Sequence, residues 1–147
     1  MVNDITMSTA AGSLTGKDLE FLRRPLHGFL TVSGGQHPQP RPVWFEATDE
    51  GDIEIFTAPD SLKVRRLQRD PWASIVVAAP VGERERWISV AGRATVVPEG
   101  AHELCSRLAA RYWDIGDPAR AADLAEILAA EQVRIVMRPE AVRRYAL

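Results

Sequence analysis

The stretch IEIFTAPDSLKVRRLQRDPWASIVV, residues 53–77, decides the fold of this chain. Its first five residues set Ile53, Ile55 and Thr57 against Glu54 and Phe56, the period-two alternation of a strand. A Pro-Asp-Ser turn follows, and Ser61 is a good N-cap for a helix predicted over 61–69. Asp70-Pro71 ends that helix, because a residue before proline is pushed out of the helical region. WASIVVAA (72–79) is then apolar on both faces, which predicts a central strand. Strand, short helix and strand are thus packed into one tight unit.

The same punctuation extends outward. Upstream, Thr15 caps a helix running to about Arg24, with Leu19, Phe21 and Leu22 on its apolar side. HGFLTVS (27–33) is a strand, GGQHPQP (34–40) its turn, and RPVWFEAT (41–48) a second strand whose Pro42 belongs at an edge or a bulge. DEGD (49–52) makes a hairpin turn into the opening stretch. Downstream, ERWISVAGRATVV (85–97) is a long strand with Ile88, Val90, Gly92, Ala94 and Val96 on one side. After Pro98, Ala101, Leu104, Cys105, Leu108, Ala109 and Tyr112 line one helical face. Asp117-Pro118 starts a further helix to about Ala130, and QVRIVMRPEAVRRY closes the chain as a strand. Six or so short strands in this order predict a small, mostly antiparallel β-barrel with flanking helices. The domain spans 15–147, and residues 1–14 are expected to be a disordered tail.

Composition bounds the function. At 147 residues, 46% apolar and 26% charged, the chain suits one soluble domain. A net charge of −2 argues against general nucleic-acid binding, so any anion site must be local. No apolar run approaches the roughly 18 residues of a membrane span, and the first dozen residues are expected to be a tail and not a signal peptide. Cys105 is the single cysteine, which excludes an internal disulfide and suits a cytoplasmic location. Heavy use of alanine and arginine with little lysine hints at a GC-rich bacterial genome.

Catalytic and metal motifs are missing. His27, His37 and His102 lack metal-ligand spacing, and Cys105 lies on an apolar helix face as a packed thiol. There is no dinucleotide or nucleotide-phosphate glycine motif and no nucleophile elbow. The basic cluster stands out instead. Lys63, Arg65, Arg66 and Arg69 place four cations in seven residues of a slightly acidic chain, and Lys63 is one of only two lysines. A helix start at Ser61 offers unpaired amides and partial positive charge. A phosphate there would offset the crowded cations; so would twenty carboxylates elsewhere, if the cluster is merely a solvated face. Both readings stand on the residues alone.

The ordered set RPVWFEA, IEIFTAPDSLKVRRLQRDPWASIVV and WISVAGRATVV resembles the flavin-binding split-barrel family that includes pyridoxamine 5′-phosphate oxidase. It is most similar to an actinobacterial branch that uses the deazaflavin coenzyme F(420) in place of FMN, over roughly residues 17–145. The resemblance implies a homodimer with the cofactor in a groove between subunits. Arg41 to Glu46 would run along the ring edge, with main-chain groups of Pro42, Val43 and Trp44 on its polar rim. Phe56 and Thr57 would flank the ring and the start of the ribityl chain. Ser61 and Lys63, with Arg65 or Arg66, would hold the phosphate, and Trp87 would stand at the mouth of the groove. Trp72 and Trp113 are expected to be packing residues.

The implied activity is hydride transfer between F(420), or FMN, and a small organic acceptor. The alternatives are a pyridoxamine-phosphate-oxidase-like enzyme using FMN and a flavin- or deazaflavin-binding protein without turnover. No side chain is assigned an acid or base role, and no metal, nucleic acid or membrane is expected. The chain departs from pyridoxamine phosphate oxidases at three places. Glu46 replaces a lysine that helps bind substrate phosphate and is expected to repel that phosphate. Trp87 replaces a glutamine, and VRRYAL ends the chain where a tryptophan-and-arginine segment is usual.

Overall fold

The structure, a computed structural model, describes residues 6–147. It consists of β1 (Thr6–Ala11), α1 (Gly16–Leu22), β2 (Gly28–Val32), β3 (Arg41–Val43), β4 (Glu46–Ala47), β5 (Ile53–Thr57), α2 (Leu62–Arg69), β6 (Trp72–Ala78), β7 (Arg86–Val97), α3 (Ala101–Tyr112), α4 (Pro118–Ala129) and β8 (Val133–Ala146). The strands form one antiparallel sheet in the order β3-β2-β6-β7-β8-β5-β4, with β1 added against β8. Its two ends, β3 and β4, are separated in the chain by only Trp44 and Phe45. A sheet whose ends are tied this closely must curl on itself, and the product is a split barrel. Phe45 is fully buried at the tie, in the same core cluster as Leu30, Ile53, Ile75, Val77, Ile88 and Val90.

Strand β8 accounts for the split. Its first part, Val133 to Met137, pairs with β5, while Ala141 to Ala146 pairs with β1. All along, its other edge pairs with β7. Gly92 pairs with Pro139 and Ala91 with Ala141, so Glu140 is an extra, bulged residue. Gly92 is required there: a Cβ on it would lie 1.9 Å from the Arg138 carbonyl oxygen. Proline is tolerated at this point because a bulge lacks a regular ladder bond.

The expected β-barrel with flanking helices is present, with eight strands where six or so were expected. RPVWFEAT is not one strand but two, β3 and β4, broken where the barrel closes. Pro42 sits on an edge strand as its missing N–H requires. Thr15 caps α1 through a reciprocal bond pair with Asp18, a capping box. The expectation of a disordered tail over 1–14 needs correcting for Thr6–Ala11, which forms β1; residues 1–5 lie outside the described residues. Small polar residues can make a strand when a long neighbour such as β8 offers a free edge. β6 is central, yet Trp72 and Val76 on its outer face are 41% and 37% exposed.

Candidate functional site

Strand β5 delivers the chain to a turn, and α2 starts against the open side of the barrel. Ser61 caps α2 with extended backbone (ψ 156°) and its hydroxyl accepts from the Val64 amide at 3.4 Å. Val64 and Leu67 are buried, which fixes the rotation of the helix. That rotation sends Lys63 and Arg66 to one side and leaves Arg65 and Arg69 exposed on the other.

A cleft of about 600 Å³ opens beside this helix, lined by Leu30, Val32, His37, Gln39, Arg41, Leu62, Lys63 and Arg66. Lys63 is half-buried in its wall, and its Nζ donates to Thr57 Oγ1 at 3.4 Å. Burial pushes the Lys63 ammonium below its ordinary pKa, and the charge of Arg41 adds to the shift. Arg66 lies against the Gly34-Gly35 turn. A Cβ on Gly35 would come within 2.8 Å of Arg66 Nη2, and both glycines hold positive φ (111° and 72°), so no other residue fits easily. Among the described residues, no carboxylate pairs with Arg41, Lys63, Arg65, Arg66 or Arg69. The solvated-face reading required such partners. Two arginines and a desolvated lysine around one cleft are chemically suited to an anion.

The structure divides the other expected site residues. Thr57 points with Ile53 and Ile55, and Phe56 to the opposite face of β5. Phe56 there meets Trp44 edge-on (centroids 6.3 Å). Trp44 stacks on Tyr112 at 5.0 Å and meets Trp113 edge-on at 4.7 Å. Trp44 and Phe56 therefore belong to an aromatic cluster with Tyr112 and Trp113 at the end of α3 and do not line the Lys63 cleft. Arg41 is in the cleft, whereas Pro42 and Val43 follow it along the edge strand β3 and do not line the cleft. Trp87 lies in a different cleft, parallel to Tyr145. Trp113 packs as expected, but Trp72 lies on the outer face beneath Arg93.

Glu46 requires a correction. It does not stand alone: Arg107 Nε and Nη2 donate to its carboxylate at 3.1 and 3.0 Å, and Arg111 lies 3.8 Å away. Arg107 and Arg111 offset the Glu46 carboxylate, so repulsion of a phosphate by Glu46 alone does not follow. The compensating arginines come from α3, more than sixty residues away in the chain.

Sequence reasoning missed Leu30, Val32, His37, Gln39 and Leu62 as lining residues. Alternation along β2 carried a signal for Leu30, which faces inward; the 34–40 turn carried none.

A family model described as Pyridoxamine 5′-phosphate oxidase matches residues 4–144. The chain belongs to this family. No curated protein matches it. Among solved structures, one described as an F(420) reductase superposes with a TM-score of 0.66 at 26% identity, covering 84% of this chain and 93% of its own. The conserved hypothetical protein Rv2991 from Mycobacterium tuberculosis gives a TM-score of 0.68 at 20% identity, with 93% and 88% covered. A FAD-binding protein from Mesorhizobium loti gives 0.62 at 18% identity, with 96% and 98% covered. This member of the pyridoxamine 5′-phosphate oxidase family therefore shares its split barrel with proteins described by more than one flavin-type cofactor. Among its described residues no helix is long and apolar enough to cross a membrane.

Proposed function

We propose that the protein is an oxidoreductase that binds a phosphorylated flavin-type cofactor, F(420) or FMN, and passes hydride between it and a small organic acceptor. The observation that carries this reading is Lys63: half-buried, with its pKa lowered, and facing a cleft that holds Arg41 and Arg66 but no carboxylate. Those residues fit a phosphate. Lys63 and Arg66 would hold it, with Arg41 beside them and the Ser61-capped start of α2 adding its amide dipoles. Leu30, Val32 and Leu62 offer an apolar wall to the rest of the ligand. The similarity to a structure described as an F(420) reductase supports the deazaflavin, and the family match supports FMN equally.

When bound, the cofactor supplies the hydride chemistry; the protein's part is to hold, orient and shield it. No acid or base is assigned. We also propose that the working unit is a homodimer. The outer face of β2 and β6 carries Phe29 (44% exposed) directly across from Val76, with Trp72 further along. Apolar area of this kind on a sheet is more than a small monomer ordinarily leaves in water.

Titration of the purified protein with F(420) and with FMN, followed by absorbance and fluorescence, tests the assignment. Saturable binding of one of them, weakened by salt, is expected. Absence of binding by both, with the fold intact, would end it.

A further inference from the structure

The Lys63 cleft is lined by a further basic group, His37. It lies in the 34–40 turn, outside the stretches that carry the family likeness. The turn is held against α2, because its two glycines pack on the Arg66 side chain. A Cβ on Gly34 would meet Arg66 Cδ at 3.1 Å, and one on Gly35 would meet Arg66 Nη2 at 2.8 Å. His37 is itself exposed to solvent on this anchored turn. The charged groups that line the cleft with it are Arg41 from β3 and Lys63 and Arg66 from α2, all cations. β2 contributes only Leu30 and Val32, α2 adds Leu62, and the chain after the turn adds the uncharged Gln39. Asp60 and Asp70 flank α2 without lining the cleft. A protonated imidazole in this setting has no lining carboxylate to pair with. An anion in the cleft would give it one partner.

We propose that His37 is a proton-dependent ligand of the anion held by Lys63 and Arg66, and that it makes binding in this cleft sensitive to pH. As the imidazolium it adds a fourth cation and a charge-assisted N–H; as the neutral ring it adds at most an ordinary hydrogen bond. Histidine takes up its proton between about pH 8 and pH 5, so affinity for a dianion should fall as pH rises through that range. By linkage, the anion favours the proton on His37 by the same factor as the proton favours the anion. Lys63, with its pKa lowered, also loses charge as pH rises, and a variant of His37 separates the two. The proposal rests on the reading of this cleft as a phosphate site and gives that site a regulation by pH.

Sulfate keeps both its charges throughout that range, so it isolates the titration of the protein from that of the ligand. The full chain, nitrogen-labelled, is titrated with sulfate at about pH 5.5 and about pH 8 at constant ionic strength. The backbone amides of Leu62 and Lys63 report occupancy of the cleft. The wild type is expected to bind about two- to fivefold more weakly at the higher pH, the size of one exposed ion pair. His37→Gln should bind equally at both, at the weaker level. His37→Lys, which keeps its charge, should bind more tightly than His37→Gln at the higher pH. An undiminished pH dependence in His37→Gln would overturn the proposal and assign the effect to Lys63. Wild-type affinity that does not vary with pH, while these amides still shift, would overturn it and leave the phosphate reading intact. No shift of these amides by sulfate, FMN or F(420) would overturn both.

Discussion

Lys63 sits in the folded protein with its ammonium desolvated and its pKa below the ordinary lysine value, burial being the larger cause and Arg41 the smaller. A base whose native pKa is depressed binds protons less readily folded than unfolded. Its charge therefore opposes folding at neutral pH, and stability should rise as pH climbs through the native pKa toward the ordinary value of 10.5. Lys63→Met is thus expected to leave the melting temperature of the ligand-free protein unchanged or slightly higher. Cofactor affinity should fall roughly 10- to 150-fold, the loss of one charge-assisted hydrogen bond of about 1.5–3 kcal/mol. Calorimetric titration beside a melting curve checks both; a destabilised protein with undiminished affinity would make Lys63 structural.

Asp18 is the opposite case. It is buried, which by itself raises its pKa, but the guanidinium of Arg144 and the Thr15 amide at 2.7 Å outweigh that and hold it below 3.8. Its contribution is complete above the unfolded pKa and disappears as pH falls through the lower native one. Asp18→Asn should cost about 3 kcal/mol at neutral pH, because it leaves Arg144 facing an uncharged group. Urea melts of both proteins at descending pH should converge below the native pKa of Asp18. A constant gap would mean that packing, not charge, explains the loss.

At the scale of elements, the β7–β8 ladder and α4 lie at opposite ends of stability. Gly92 lets the Arg138 carbonyl approach at the bulge, and a Cβ at 1.9 Å cannot be accommodated by a side-chain rotation because its neighbour is backbone. Gly92→Ala is expected to destabilise by about 1–3 kcal/mol or more, measured by denaturant unfolding. Wild-type stability in that variant would mean the bulge shifts freely. α4 has no buried residue and is held to the body by a few contacts: Arg120 over the Trp113 ring at 4.4 Å, and the ring of His102 against the Ala130 carbonyl at 3.1 Å. Its amides should exchange with solvent well before those of β7 and β8, through local opening rather than global unfolding. Equal protection across the two would contradict this.

For the whole molecule, the proposed dimer rests on the outer face of β2 and β6. Val76→Asp places a charge opposite Phe29 without touching the core, since Val76 points outward. Sedimentation is expected to show a dimer for the wild type and a folded monomer for the variant. A wild-type monomer at micromolar concentration would sink the dimer but leave the Lys63 cleft, which lies within one chain, open to titration.

By itself the sequence determined what depends on neighbours in the chain. Period-two alternation located β5 and β7, and an apolar run after Pro71 located β6; Thr15, Ser61 and Asp117 fixed three helix starts through side chains that satisfy orphan amides. It also placed Ser61, Lys63 and Arg66 at one helix start, because spacing on a helix is a local property. Tertiary structure alone decided whatever depends on distant partners. RPVWFEAT is interrupted where the ends of the curled sheet meet, and the residues before α1 become a strand because β8 has an edge to pair. Phe56 and Thr57 separate because opposite faces of one strand meet different neighbours, α3 on one side and the cleft on the other. Glu46 changes from a lone negative charge to a clamped one because α3 brings Arg107 and Arg111 beside it. A residue's own charge is written in the chain, but the field it experiences is set by whatever folds against it.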